Sequence, residues 1–336
     1  MARESPFNSI IMGDETPHRY SVKLVEFLHA NNVRNFDFSQ FSQVSYIQKG
    51  QFAMVFSATF ENKVYALKCL NNNLYMDQET LRHLTREVTN LYKINHPNVI
   101  KLYGVSIDLN TNNFLLVLQF ADKTLCEHLK SKRIENLYQI SWGELINLAK
   151  GITNGIKHLH EKNIIHRDLH SKNILINEGK ALIADFGLSK FISNNKNSVS
   201  TMQCSVAYTD PQYLSSSGGF ERNEKSDIYS LGILLWELTS GIPPFEGLNV
   251  FNIVHRIIIN NERPEIVPDT PSGYIDLIKK CWSSNQNERP TTSFILNQLE
   301  KLSTETINTI TNRIVIRSKN NINQNEPMDD SSNDGN

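Results

Sequence analysis

The chain has 336 residues, 39% of them hydrophobic and 21% charged, with a formal net charge of −1; this balance fills a sizeable core and supplies no bulk basic charge for nucleic acid. No run reaches the ~18 apolar residues of a membrane span, and the opening MARESPFNSIIMGDET holds no apolar stretch of the signal-peptide kind. Cys69, Cys126, Cys204 and Cys281 stand too far apart for zinc-ligand or redox-pair spacing, so a reduced protein of the cytoplasm or nucleus is expected.

Residues 1–43 read as an N-terminal extension. Within it SVKLVEFLHA, Ser21–Ala30, has helical spacing through Val22, Leu24, Val25 and Leu28; the segment either packs on the domain or decorates it. From Val44 to Cys69 the pattern changes to short β-type runs, VSYI, MVFSATF and KVYALKC, with a turn signal at Glu61 and Asn62. The stretch YIQKGQFAMVF holds a single glycine, Gly50, between two apolar runs, which by itself reads as a hairpin turn. A loop built to lie over phosphates would be richer in glycine.

Glu79–Lys93 reads as a helix with Leu81, Leu84, Val88 and Leu91 on one stripe, and Leu115–Phe120, LLVLQF, as a strand. Beyond it the chain turns helical. Trp142–His160 opens after Ser141 and repeats Leu145, Leu148, Ile152, Ile156 and Leu159 at a helical period. Asp227–Leu238 is apolar nearly all round, the mark of a helix buried in a large core. Further helices are expected at about 249–259, 272–282 and 291–302. Past Ser303 the composition falls into Asn, Ser, Thr and Asp, and residues 303–336 read as a disordered tail. The expected architecture is α+β and bilobal: a small antiparallel β-rich lobe (44–118) with one helix, a joint (119–122) and a large α-helical lobe (123–302).

The most informative segment is IIHRDLHSKNILI, Ile164–Ile176, a polar loop edged by apolar runs, followed by ALIADFGLS. Oxygen donors placed as Asn173 and Asp185 are suit a hard divalent cation that keeps few protein ligands and adds phosphate oxygens. HRDLHSKN and ADFG resemble the catalytic loop and metal-binding motif of the eukaryotic protein kinases. VYALK, the run TREVTNLYKINHPNVIKLYGV, SDIYSLGILLWELTSGIPPF and CWSSNQNERPT resemble further members of that set in the same order. The resemblance covers about residues 44–302 and implies a protein kinase fold with ATP and magnesium, or manganese, as cofactors.

The resemblance also implies roles. Lys68 would hold the α- and β-phosphates and Glu87 would pair with it. Asn173 and Asp185 would hold the metal, Asp168 would accept the hydroxyl proton of the acceptor, and Lys172 would steady the γ-phosphate. Gln48, Gly50 and Ala53 fall where the family has three glycines. Val55, Ala66, Leu118 and Leu175 would bound the adenine, and Gln119 and Ala121 would belong to the hinge. His166, with Leu91, Leu102 and Phe186, matches the stacked spine linking the lobes. Ser198, Ser200 and Thr201 are candidate phosphorylation sites, with Arg167 as their partner. Partners are expected to be ATP and protein substrates, with neither nucleic acid nor membrane.

Two departures stand out. Positive φ at Gln48 or Ala53 would cost about 1–2 kcal/mol each, so a weakened or tuned ATP site is expected in place of a dead one. AYTDPQY, Ala207–Tyr213, carries Gln212 where the family has a Glu that pairs with the arginine matching Arg289, so that charge pair is expected to be lost. Lys172, DFGLSK, LLWELTSGIPPF and CWSSNQNERP resemble the tyrosine-kinase-like group, the lead-in NFDFSQFSQVSYIQKG and DLHSKNIL resemble expanded kinase sets of some fungi, and Ser205 matches a hydroxyl that Ser/Thr kinases place near the catalytic Asp. The rival reading is a kinase-shaped binding module, favoured by the glycine-poor loop and Gln212 and opposed by the intact Lys68, Glu87, Asp168, Asn173 and Asp185.

Overall fold

The computed structural model describes residues 26, 28–49, 53–70, 88–89, 91–108, 113–185, 205–216, 220–305 and 309–313. Gly50, Glu87, Phe186, Ser198, Ser200 and Thr201 lie outside the described residues. So does most of the helix expected over Glu79–Lys93, of which 88–89 and 91–93 are described and helical.

The small lobe is a six-stranded sheet. Its strands are β1 (Asn35–Asp37), β2 (Ser42–Lys49), β3 (Ala53–Phe60), β4 (Lys63–Leu70), β5 (Leu102–Asp108) and β6 (Asn113–Gln119), in the order β1-β5-β6-β4-β3-β2. Glu61 and Asn62 turn β3 into β4 with φ of 48° and 61°, the paired left-handed residues of a tight hairpin. The stretch expected to be an extension contributes β1, which runs parallel to β5, so the sheet is not wholly antiparallel. The cause is apolar: Phe36 is buried with Phe41, Phe60 and Tyr65, its ring 5.2 Å from that of Phe60. Leu28 is fully buried, so the segment leading into β1 packs on the domain. Gly104 permits the approach, because a Cβ there would lie 2.2 Å from the Arg34 carbonyl oxygen.

The large lobe is built from α1 (Leu125–Ser131), α2 (Trp142–Glu161), α3 (Pro211–Ser215), α4 (Glu224–Ser240), α5 (Val250–Ile258), α6 (Ser272–Cys281) and α7 (Thr292–Leu302). Every residue of α4 from Ser226 to Ser240 is buried, as the all-round apolar sequence predicts. Asn223 caps its start in a reciprocal box with Ser226, and Gly241 ends it at φ 68° with its Cα against the Tyr138 ring.

Two small sheets complete this lobe. Strands β7 (Lys123–Thr124), β10 (Ile174–Asn177) and β11 (Lys180–Ile183) lie in the order β11-β10-β7 below the joint. The other holds β8 (Arg133–Ile134), β9 (Leu137–Ser141) and β12 (Thr309–Arg313), in the order β12-β9-β8. Strand β12 lies in the stretch expected to be a structureless tail. It pairs along five residues of β9, from Thr309 opposite Ser141 to Arg313 opposite Leu137. Ile310 is buried and the Asn312 amide donates to the Ser240 carbonyl at 2.8 Å. One buried apolar residue and one side-chain hydrogen bond anchor a segment whose composition is otherwise polar.

The lobes join through backbone. Ile183 N–H donates to the Asn98 carbonyl and Ile100 N–H to the Ile183 carbonyl, each at 2.9 Å. This ties the strand before Asp185 to the small lobe.

Candidate active site

Alternation along β4 separates its two faces. Tyr65, Leu67 and Cys69 fill the aromatic core, leaving Ala66 and Lys68 on the other face. In register with these are Val55, opposite Lys68, and Leu118, opposite Ala66. Val55, Ala66 and Leu118 are half-buried, as are Gln119 and Ala121 past the end of this face and Leu175 on β10. Gln48 is exposed near the end of β2, where it pairs with Val55, and Ala53 opens β3 opposite Leu70. The Gln119 N–H is committed to the Lys101 carbonyl at 2.8 Å.

Lys68 is nearly buried and its ammonium lies 2.5 Å from Asp185 Oδ1, joining the small lobe to the loop after β11. Burial would push the Asp185 carboxyl up, but the Lys68 charge outweighs it and holds the group below the usual range. Asp185 takes φ 61°, a left-handed conformation that Asp tolerates better than most residues.

The loop between α2 and β10 is held by a closed set of bonds. His166 is buried, and burial lowers its pKa, so the ring is neutral. Its Nε2 donates to the Ala184 carbonyl at 2.9 Å, and Nδ1 accepts from the Asp168 N–H at 3.3 Å. Asn173 donates its amide nitrogen to the Asp168 carbonyl at 2.8 Å and to Oδ2 at 3.3 Å. That orientation commits the nitrogen to Asp168 and leaves the amide oxygen as the end of Asn173 available to a cation. Burial would raise the Asp168 carboxyl, but the His170 contact, with Arg222 adding to it, holds it below the usual range. Asp168 and Asp185 are therefore both ionised near neutrality. One carboxylate, one amide oxygen and a nearby ammonium suit a hard cation that arrives with phosphate oxygens.

Asp227 anchors this loop from α4, a role the sequence reading did not assign. Its Oδ2 accepts from His166 N–H and its Oδ1 from Arg167 N–H, both at 2.9 Å, and His160 Nε2 lies 2.9 Å from Oδ2. The signal was in the sequence: a lone Asp in an otherwise apolar buried helix must find donors. Arg167 itself has φ 71° and its guanidinium lies 3.8 Å from Glu221. Lys172 is exposed, and His170 Nε2 is 3.6 Å from Asp168 Oδ2.

The charge pair expected to be lost is present, moved two residues upstream. Arg289 donates Nη1 to Asp210 Oδ2 at 2.7 Å and Nη2 to Oδ1 at 2.9 Å, with both side chains fully buried. Asp210 also accepts from Gln286 at 2.7 Å, Ser226 at 3.0 Å and the Gln212 N–H at 3.0 Å. As the residue before Pro211, Asp210 is extended and caps α3, which turns its carboxylate back toward Arg289. Gln212 thus contributes its backbone and not the charge.

Glu237 lies buried in α4 and accepts a 2.6 Å hydrogen bond from the Tyr208 hydroxyl, which is 3.4 Å from Ser171 of the loop between α2 and β10. Burial pushes its carboxyl from 4.5 up to about 7, against the opposing pull of that hydrogen bond. Between those values the folded chain holds a proton that the unfolded chain releases. The contribution of this group to stability therefore falls as pH rises through the window and is level above it. Glu237→Gln is expected to remove that slope. The difference in unfolding free energy between wild type and variant, from urea titrations at either end of the window, should change by about 3 kcal/mol; parallel pH profiles would refute the assignment.

A β-rich lobe and a helical lobe meeting at a Lys–Asp pair define the class, a kinase-type two-lobed domain. Residues 41–299 match the protein kinase domain model, and the chain belongs to the protein kinase family. It is 33% identical over 288 residues to the dual specificity protein kinase pyk3 of Dictyostelium discoideum, covering 85% of this chain and 20% of that protein. It is 32% identical over 260 residues to a protein of the same organism described as a probable serine/threonine-protein kinase, covering 76% of this chain and 19% of the relative. It is also 32% identical to the cyclic GMP-binding protein C of that organism, covering 80% of this chain and 11% of the relative. The chain thus spans about a fifth or less of the length of these relatives. Strands β1 and β12 both lie outside the matched residues.

Proposed function

We propose that the chain transfers the γ-phosphoryl group of ATP to a protein hydroxyl, on serine or threonine in preference to tyrosine. The observation that carries this is the convergence of Lys68, Asp185, Asn173 and an ionised Asp168 where the two lobes join. The names of the relatives, serine/threonine and dual specificity kinases, agree with it. Lys172 and the motifs around DFGLSK support a place in the tyrosine-kinase-like group.

When bound, a magnesium ion, or manganese in its place, neutralises charge on the phosphate oxygens as the phosphoryl group moves. Asp185 and the Asn173 oxygen would hold it. Lys68 would release Asp185 to pair with the phosphates. Asp168, kept ionised and fixed by Asn173, orients the acceptor hydroxyl and takes its proton on a carboxylate oxygen. The exposed Lys172 stands on the same loop, where a transferred phosphate needs a counter-charge.

Wild-type protein incubated with γ-labelled ATP, magnesium and a generic protein substrate is expected to transfer label. Lys68→Met and Asp168→Asn should fall to background while remaining folded by circular dichroism, and hydrolysis of the product should give phosphoserine and phosphothreonine. No transfer, together with no nucleotide-dependent rise in melting temperature, would leave a binding module instead.

A further inference from the structure

The peptide group between Arg167 and Asp168 carries the base, and its surroundings are almost wholly accounted for. The Arg167 N–H is taken by Asp227, the Asp168 N–H by His166, and the Asp168 carbonyl by Asn173. The remaining group, the Arg167 carbonyl, accepts from Nη1 of Arg222. Arg222 comes from the connection between α3 and α4, remote in sequence from the catalytic loop. Its guanidinium also stacks on the Tyr213 ring of α3, 3.9 Å from the centroid.

We propose that Arg222 is a positioning residue for Asp168, acting through the Arg167 carbonyl, and that Tyr213 holds Arg222 in place; this rests on the phosphotransfer reading above. Arg167 has φ 71°, a strained conformation for a side-chain-bearing residue that persists only where the surroundings over-determine it. Asp227 holds one side of the residue and Arg222 the other. Without Arg222 a half-buried carbonyl loses its partner, and the 167–168 peptide plane can rotate to find another. The Asp168 N–H lies in the same plane, so such a rotation breaks its bond to His166 Nδ1 and frees Asp168 to shift. Glu221 adds little, because it is almost fully exposed and 3.8 Å away.

The planar guanidinium is what allows one side chain to stack and donate together. Tyr213 sits on α3, which Asp210 caps and Arg289 pins to the body of the lobe. The contact therefore links α3 to the placement of the base. A lysine at 222 keeps the donor and loses the planar stack. Phenylalanine at 213 keeps the ring that is stacked upon.

Four variants, Arg222→Ala, Arg222→Lys, Tyr213→Ala and Tyr213→Phe, would be compared with wild type by steady-state kinetics. Amide hydrogen exchange over 165–169, read by mass spectrometry, gives a measure independent of activity. Arg222→Ala is expected to lower kcat about tenfold with the KM for ATP within about twofold, and to speed exchange over 165–169. Arg222→Lys should recover part of both effects, Tyr213→Ala should reproduce them more weakly, and Tyr213→Phe should match wild type. Unchanged exchange in Arg222→Ala, or a lysine variant no better than alanine, would overturn the proposal. If wild type transfers no phosphate, the phosphotransfer reading fails while the exchange data still decide whether Arg222 fixes the loop.

Discussion

Replacing Asp210 by alanine is expected to cost about 3–5 kcal/mol of stability, the penalty for leaving one partner of a buried pair uncompensated. Arg289 would keep its bonds to the Ser283 and Lys225 carbonyls, but a full positive charge would stay in a fully buried site. Asp210→Asn should be intermediate, since it restores an acceptor and not the charge. Gln212→Ala should be nearly silent, because only its backbone N–H reaches Asp210. Urea unfolding of the three variants checks this. A Gln212 variant as unstable as the Asp210 variant would show that the pair had not moved.

The second large effect is expected at Asp227. Alanine there orphans the N–H groups of His166 and Arg167 and removes the partner of His160. Each buried donor left unsatisfied costs about 1–3 kcal/mol, so a loss of about 3 kcal/mol or more is expected. Misplacement of a reacting group by about 1 Å costs on the order of 100-fold in rate, and turnover should fall by at least that factor in the fraction that remains folded. Circular dichroism at low temperature beside the transfer assay separates the two losses. Full turnover per folded molecule would mean that the catalytic loop holds its shape without α4.

What was legible in the sequence follows from how each signal is written. The helix α2 announced itself by period, α4 by being apolar nearly all round, and the hairpin at Glu61 and Asn62 by turn chemistry. Asp168, Asn173 and Asp185 were legible because they sit in short motifs with fixed spacing. Strand β1 was hidden because three residues carry little period, and its cause, burial of Phe36, is a contact with Phe60 and Tyr65 far along the chain. Strand β12 was hidden for the same reason, with Ile310 its one buried apolar residue. Motif alignment placed the lost charge at Gln212 because it compares positions one by one. It could not see that an Asp before a proline, capping a helix, can turn back onto Arg289. Asp227 was marked as the lone Asp of an apolar helix, but its partners, like that of Arg222, are backbone groups that leave no trace in side-chain pattern.

The pairing of β12 with β9 has a consequence in time. The two strands are about 170 positions apart. Joining distant segments adds little cost for extra length, because closure entropy grows only with the logarithm of the loop. Synthesis is less forgiving. At about 5–20 residues per second, the edge of β9 waits roughly 10–35 s before the ribosome supplies its partner. Through that interval Tyr138 and Ile140, both buried in the finished lobe, stand on a strand whose outer hydrogen-bonding groups are open. By the time α7 has emerged the large lobe is a nearly complete body with one unfinished seam, closed by the last described residues.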